Sequence, residues 1–162
     1  DQNTGISVML VGVVAMCLIS NFLTSRTAVG RHFYAVGGNE KATRLSGINT
    51  NKVYFLAYAN MGLLAGLCGL LCLARVGSVS GATGTSFEMD AIGACFIGGA
   101  STTGGVGRVT GAIVGGLVMA VLSNGMQLMG VGASTQQIVK GIVLLLAVAF
   151  DIYNKRRVGQ GS

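Results

Sequence analysis

An all-α, polytopic transmembrane helix bundle is the fold these residues predict, on the strength of charge-free length and composition. Ile6–Leu23 and Val53–Ala74 contain no charged residue, and at about 18 and 22 residues each is long enough as helix to cross roughly 30 Å of hydrocarbon. Val109–Gly130 is equally free of charge, and Ile138–Phe150 carries a single Lys near its start. Mean hydropathy is +0.68 and only 10% of residues are charged, far from the balance of soluble domains. One soluble domain of this size has too little polar surface to cover four such segments.

In chain order the expected elements are spans at about 6–23, 53–74, 109–130 and 137–153, a short broken element at about 87–104, and a polar loop over 24–52. Residues 1–157 then form one membrane domain, with 158–162 as a flexible tail. No proline occurs, while 27 glycines do, so the helices should approach closely instead of kinking. Gly62-x-x-x-Gly66 and Gly111-x-x-x-Gly115 have the small-x-x-x-small spacing that lets backbones touch in lipid, and general bundle packing accounts for them more readily than a dedicated dimer face. Lys140 sits where it can snorkel to the interface.

Positive charge orients the bundle. Arg26, Arg31, Lys41, Arg44 and Lys52 fall in the loop over 24–52, and Lys155, Arg156 and Arg157 follow the last span, so both regions are expected in the cytoplasm. Val131–Gln137 has no charge, as suits an outer loop. The net charge of +6 is therefore a topological signature that needs no nucleic-acid partner.

Parity then requires one more crossing. If Val53–Ala74 leaves the cytoplasm and the last helix returns to it, Val109–Gly130 must run outward, and the chain must cross inward between Arg75 and Arg108. Only Phe87–Ala100 is apolar enough, and it is too short to span comfortably as helix. The expectation is a discontinuous half-helix from about Glu88 to Ile97, followed by irregular backbone through Gly98, Gly99, Gly104, Gly105 and Gly107. Such backbone is tolerated at membrane depth only where protein buries it or it lines a polar cavity, and broken helices often line transport routes. Glu88 and Asp90 could meet a polyol at the outer mouth or cap the half-helix, with capping favoured.

Chemistry-bearing clusters are missing from the pattern. His32 is the single histidine and lies beside Arg31 with no Cys or carboxylate at metal-ligand spacing, which argues against a metal site or a Ser-His-Asp hydrolase. Cys17, Cys68, Cys72 and Cys95 sit in apolar stretches without a C-x-x-C pair and are expected as small buried hydrophobes. Gly104–Arg108 lacks the ending of a phosphate loop, so neither a cofactor nor ATP use by this chain is expected. Asn60, Asn124 and Gln127 are the strongly polar amides of the long spans. Helix–helix hydrogen bonding is favoured for them over substrate contact.

The polar loop contains a short island, Gly37–Ile48. Asn39 suits the N-cap of a two-turn helix, Glu40 its positive end and Gly47 its C′ position. Ala42 and Leu45 share one face and Lys41 and Arg44 another. From these residues alone it is either an interfacial loop helix or an element that seats in a partner.

Two long runs then carry a resemblance. GRHFYAVGGNEKATRLSGI (Gly30–Ile48) and EMDAIGACFIGGASTTGGVGRVTGAIVGG (Glu88–Gly116) resemble the cytoplasmic loop and the D-A-I-x-A-x-x-I-G-G-x-S-x-x-G-G-x-G pattern of the ribose/xylose/galactoside type of ABC-importer permease. Later signatures resemble the same family at Asn124–Leu128 and Gln136–Gly141. The ending Phe150–Arg157 looks most like the xylose and multiple-sugar permeases. The likeness covers essentially the whole chain. It implies two permease copies around a pathway through membrane lipid, a dimer of cytoplasmic ABC ATPases and a periplasmic sugar-binding protein. It further implies that Asn39, Ala42, Leu45, Gly47 and Ile48 belong to a cytoplasmic coupling helix against the ATPase, and that Asp90, Ile97, Gly98, Gly99, Ser101 and Asn124 lie along the pathway. The chain begins at Asp1 and is about half a family permease long, so it reads as a C-terminal fragment. The competing classes are an ion-coupled secondary transporter or channel, which would need a coupling-ion site that these residues do not supply, and a noncatalytic membrane scaffold, which leaves the island and the broken helix without a role.

Overall fold

The computed structural model describes the backbone of residues 2–159, with side chains from Val8 to Lys155 and at Arg157. Among these residues all regular structure is helical: α1 (Gln2–Arg26), α2 (Ala28–Gly38), α3 (Glu40–Leu45), α4 (Thr50–Val76), α5 (Phe87–Ile97), α6 (Val109–Leu128) and α7 (Ala133–Gly159). Four stretches are long and apolar enough to cross a membrane, Val8–Arg26, Thr50–Val76, Val109–Leu128 and Ala133–Lys155. The expected all-α multi-pass bundle is therefore present. The chain divides into two compact units, 1–83 and 84–162.

In the first unit the turns between helices are set by side chains that cap them. Thr27 ends the long α1 and starts α2: its Oγ1 accepts from Gly30 N at 3.2 Å and donates to Leu23 O. Gly30 is buried there against the carbonyls of Leu23 and Thr24, where a Cβ would collide with backbone. The α2 helix was not anticipated inside the polar loop. Its signal is the apolar spacing Val29, Phe33, Val36, one stripe of a helix, of which Val36 is buried. Asn39 then serves two helices, its N–H closing α2 on Ala35 O and its Oδ1 accepting from Ala42 N at 3.0 Å to open α3.

The expected end of α3 is also found. Gly47 has φ +84, its N–H donates to Arg44 O, and Ile48 N–H donates to Thr43 O. This is the Schellman pattern that favours Gly at C′. Asn49 caps α4 by accepting from Lys52 N, and Tyr54 Oη donates to Glu40 at 3.0 Å, tying α3 to the first turn of α4. Gly62, Gly66 and Gly69 of α4 face open space within this unit.

The second unit is built on α5. Gly98 of α5's C-terminal end lies backbone to backbone against Gly111 of α6, Ala94 against Gly115, and Gly93 against Met119, so α5 runs antiparallel to α6. Gly93, Gly115 and Met119 are buried in this seam. The Gly111-x-x-x-Gly115 spacing is thus used for packing inside the unit, whereas the Gly62-x-x-x-Gly66 spacing is not. Against α7, contacts rise together along both helices: Ser86 meets Gln137, Asp90 meets Lys140, and Thr102 meets Asp151. Hence α5 runs parallel to α7, the relative sense that parity required of an extra crossing. At 11 residues it is about 16 Å long, roughly half a hydrocarbon thickness.

The C-terminal boundary moves. The last helix extends through Val158 and Gly159, which the sequence had suggested as tail, and residues 160–162 of that tail lie outside the described residues. Cys68 and Cys95, expected as buried, are exposed on their units, while Cys17 and Cys72 are half-buried.

Candidate translocation and coupling elements

The island presents its residues in two directions. Ala42 and Leu45 are exposed, Leu45 to 89%, as are Lys41 and Arg44, whereas Thr43 is buried and donates its hydroxyl to Asn39 O at 2.8 Å. Asn39 itself is engaged in capping. Gly47 and Ile48 point the other way and line a hollow of about 330 Å³ together with Phe33, Val53 and Leu56. Of the five residues grouped as a coupling helix, Ala42 and Leu45 are the exposed side chains of the helix itself, and Ile48 is half-buried along the hollow. Asn39, Gly47 and Ile48 shape and anchor the helix.

The broken element places its residues at two levels. Ile97, Gly98, Gly99 and Ser101 cluster at the C-terminal end of α5. Gly99 has φ +86 and Gly104 and Gly105 have φ +85 and +74, a backbone course that side-chain-bearing residues rarely follow. This loop is fastened to the far end of α7. Thr102 donates from both N and Oγ1 to Asp151 Oδ2, at 3.2 and 3.0 Å, and Lys155 donates to Ser101 Oγ and to Thr103 Oγ1 while pairing with Asp151 at 3.1 Å.

Asp90 lies at the opposite end, and there the structure corrects the expectation for Lys140. Lys140 does not snorkel: it is buried, and its Nζ stands 2.8 Å from Asp90 Oδ1 and 2.9 Å from Oδ2, donating a hydrogen bond to Oδ2 and meeting Oδ1 by charge alone. Asp90 lies with Glu88 in the first turn of α5, where the capping expectation placed it, and the Lys140 charge adds to the partial positive charge of the helix end. Lys140 thus supplies Asp90 with a titratable partner across helices. The pair is part-buried, the Lys140 side chain 10% exposed and that of Asp90 31%, so removing one member costs less than the loss of a fully buried partner would. Glu88, by contrast, is exposed and has no ion-pair partner among the described residues.

Asn124 belongs to neither level's polar contacts. It is exposed on α6, near the end that faces the start of α5, and its side chain has no hydrogen bond among the described residues. Asn60 and Gln127 are likewise without one. The helix–helix bonds expected of these amides are not made within either unit, because each lies on a helix face that its unit leaves uncovered or only partly covered. Lys140, Asp151 and Lys155 are the polar residues that reading for site function missed. Their signal was charge at intervals inside an otherwise apolar helix.

Residues 2–148 match the protein family described as branched-chain amino acid transport system / permease component. The chain belongs to this family. Among curated permeases it is 45% identical over 150 residues to the ribose import permease protein RbsC of Escherichia coli K12, covering 93% of this chain and 46% of that one. It is 44% identical over 154 residues to the xylose transport system permease protein XylH of Haemophilus influenzae, covering 95% of this chain and 41% of the relative. With the E. coli K12 XylH the identity is 49% over 136 residues, 84% of this chain and 35% of the other. The chain thus spans less than half the length of these permeases. No solved structure gives a significant match.

Proposed function

We propose that this chain forms part of the permease subunit of an ATP-driven importer for ribose, xylose or a related monosaccharide. The observation that carries this is 44–45% identity to a ribose and a xylose permease along more than nine-tenths of the chain. In this reading ATP is hydrolysed by a separate cytoplasmic ABC ATPase dimer, a second permease copy completes the pathway, and a periplasmic binding protein delivers sugar and sets its identity. The loop over 24–52 and the C-terminus face the cytoplasm, as their basic residues favour.

Mechanically, α3 is the coupling helix. Its exposed Ala42 and Leu45 seat in the ATPase, and Asn39, the Gly47 turn and the Tyr54–Glu40 bond hold it stiffly on α2 and α4. Closure of the ATPase dimer displaces α3, and the displacement biases the bundle between two arrangements. Asp90, Ile97, Gly98, Gly99 and Ser101 border the pathway through the broken element, with Asn124 on the neighbouring helix.

The test uses a full-length permease carrying this segment, without native cysteines, assembled with its ATPase. Ala42→Cys should crosslink to the ATPase, with a yield that changes on ATP binding. Failure of Ala42→Cys and Leu45→Cys to crosslink in an intact complex would remove the coupling role from α3.

A further inference from the structure

The start of α5 is held from outside. Ser86, its N-cap residue, has φ +77, the one positive φ on a non-glycine among the described residues, and its side chain makes no capping bond. A strained residue of this kind persists only when its surroundings over-determine it. Here the surroundings are α7: Gln137 Nε2 donates to Ser86 Oγ at 2.8 Å, and one turn further on Lys140 grips Asp90. At the other end of the element Asp151 and Lys155 hold Thr102, Ser101 and Thr103. Four residues of the α5 element and its loop, Ser86, Asp90, Ser101 and Thr102, are held by side chains of α7. Toward α6 the contact is Gly98 on Gly111 and Ala94 on Gly115, a seam without interlocking polar groups.

We propose that Lys140 is a positioning residue for translocation: through Asp90 it locks the broken element onto α7, so that α5, its glycine loop and α7 move as one body during transport. The proposal rests on the permease reading above. The buried Lys140 ammonium gives the lock its strength, since an ammonium at such a site is tolerated where it meets its opposite, here the part-buried Asp90 carboxylate. What transport requires is then the pair and its contact, with the order of the two charges secondary.

The experiment uses the full-length permease with its ATPase and binding protein in proteoliposomes, scoring ATP-dependent sugar uptake per assembled complex. Lys140→Asp and Asp90→Lys are each expected to abolish uptake, and the double exchange to restore it in large part. Uptake at the unmodified level in Lys140→Met, or a double exchange that assembles yet stays as inactive as the single variants, overturns the proposal. A second measurement stands without these variants: Ser86→Cys with Gln137→Cys, bridged by a short bis-thiol reagent. Bridging in both nucleotide-free and ATP-trapped states, with uptake surviving the bridge, is expected of one rigid body. Bridging in one state only, or loss of uptake on bridging, overturns it. Absence of ATP-dependent uptake in the unmodified complex would instead refute the permease reading.

Discussion

Gly115 and Gly116 are neighbours on α6 with opposite surroundings, and exchanging each for Ala separates packing from helix propensity. A Cβ at Gly115 would strike the Ala94 carbonyl and sit 2.9 Å from Gly98 N, whereas one at Gly116 would meet only Ala94 Cβ at 3.9 Å. Both variants gain the intrinsic advantage of Ala over Gly inside a helix, about 0.8–1 kcal/mol. At Gly116 nothing opposes that gain, so Gly116→Ala should be neutral or stabilising by up to about 1 kcal/mol. At Gly115 both opposing groups are backbone and cannot rotate away, which puts the overpacking cost at the upper end of about 1–3 kcal/mol. Moving α6 off α5 to relieve it forfeits dispersion along the whole glycine seam. The net for Gly115→Ala is a destabilisation of about 2 kcal/mol, or roughly thirtyfold in the packed equilibrium. Equilibrium unfolding of the full-length permease in mixed micelles with increasing SDS reads both variants on one scale. Agreement between them within about 0.5 kcal/mol, the scale of a surface substitution, would refute the close α5–α6 contact.

Two further outcomes follow from the caps and clasps. Asn39→Ala removes the Oδ1 that accepts from Ala42 N and should destabilise α3 by about 1 kcal/mol, visible as faster amide exchange over residues 40–45 with α4 unchanged. Asp151→Ala removes both bonds to Thr102 and the partner of Lys155. Exchange should then quicken over residues 99–107 while the α5–α6 seam stays protected, and equal protection in both proteins would count against the clasp.

Some elements were readable because they depend on neighbours in sequence. The four spans follow from uninterrupted apolar length, and the island helix follows from Asn39 at one end and Gly47 at the other, each a local backbone requirement. The broken element follows from charge bias and parity, and α5 stops at Ile97 with a glycine loop behind it. The α2 helix was overlooked because its stripe is short and interrupted by Gly30, Arg31 and His32, which read as loop. Lys140 was misplaced because a lysine near a helix end usually reaches water, and only the position of Asp90 on another helix shows why this one does not.

Membrane class, the four spans and the caps of the island were determined by the sequence alone, since hydropathy, length and capping act over a few residues. Tertiary structure decided which glycines pack and which face open space, and which carboxylate meets which lysine. Asp90 and Lys140 lie fifty positions apart in the chain, and Gly111-x-x-x-Gly115 has the same spacing as Gly62-x-x-x-Gly66. The energy of each depends on what stands opposite across a few ångströms, and that is a property of the assembled helices.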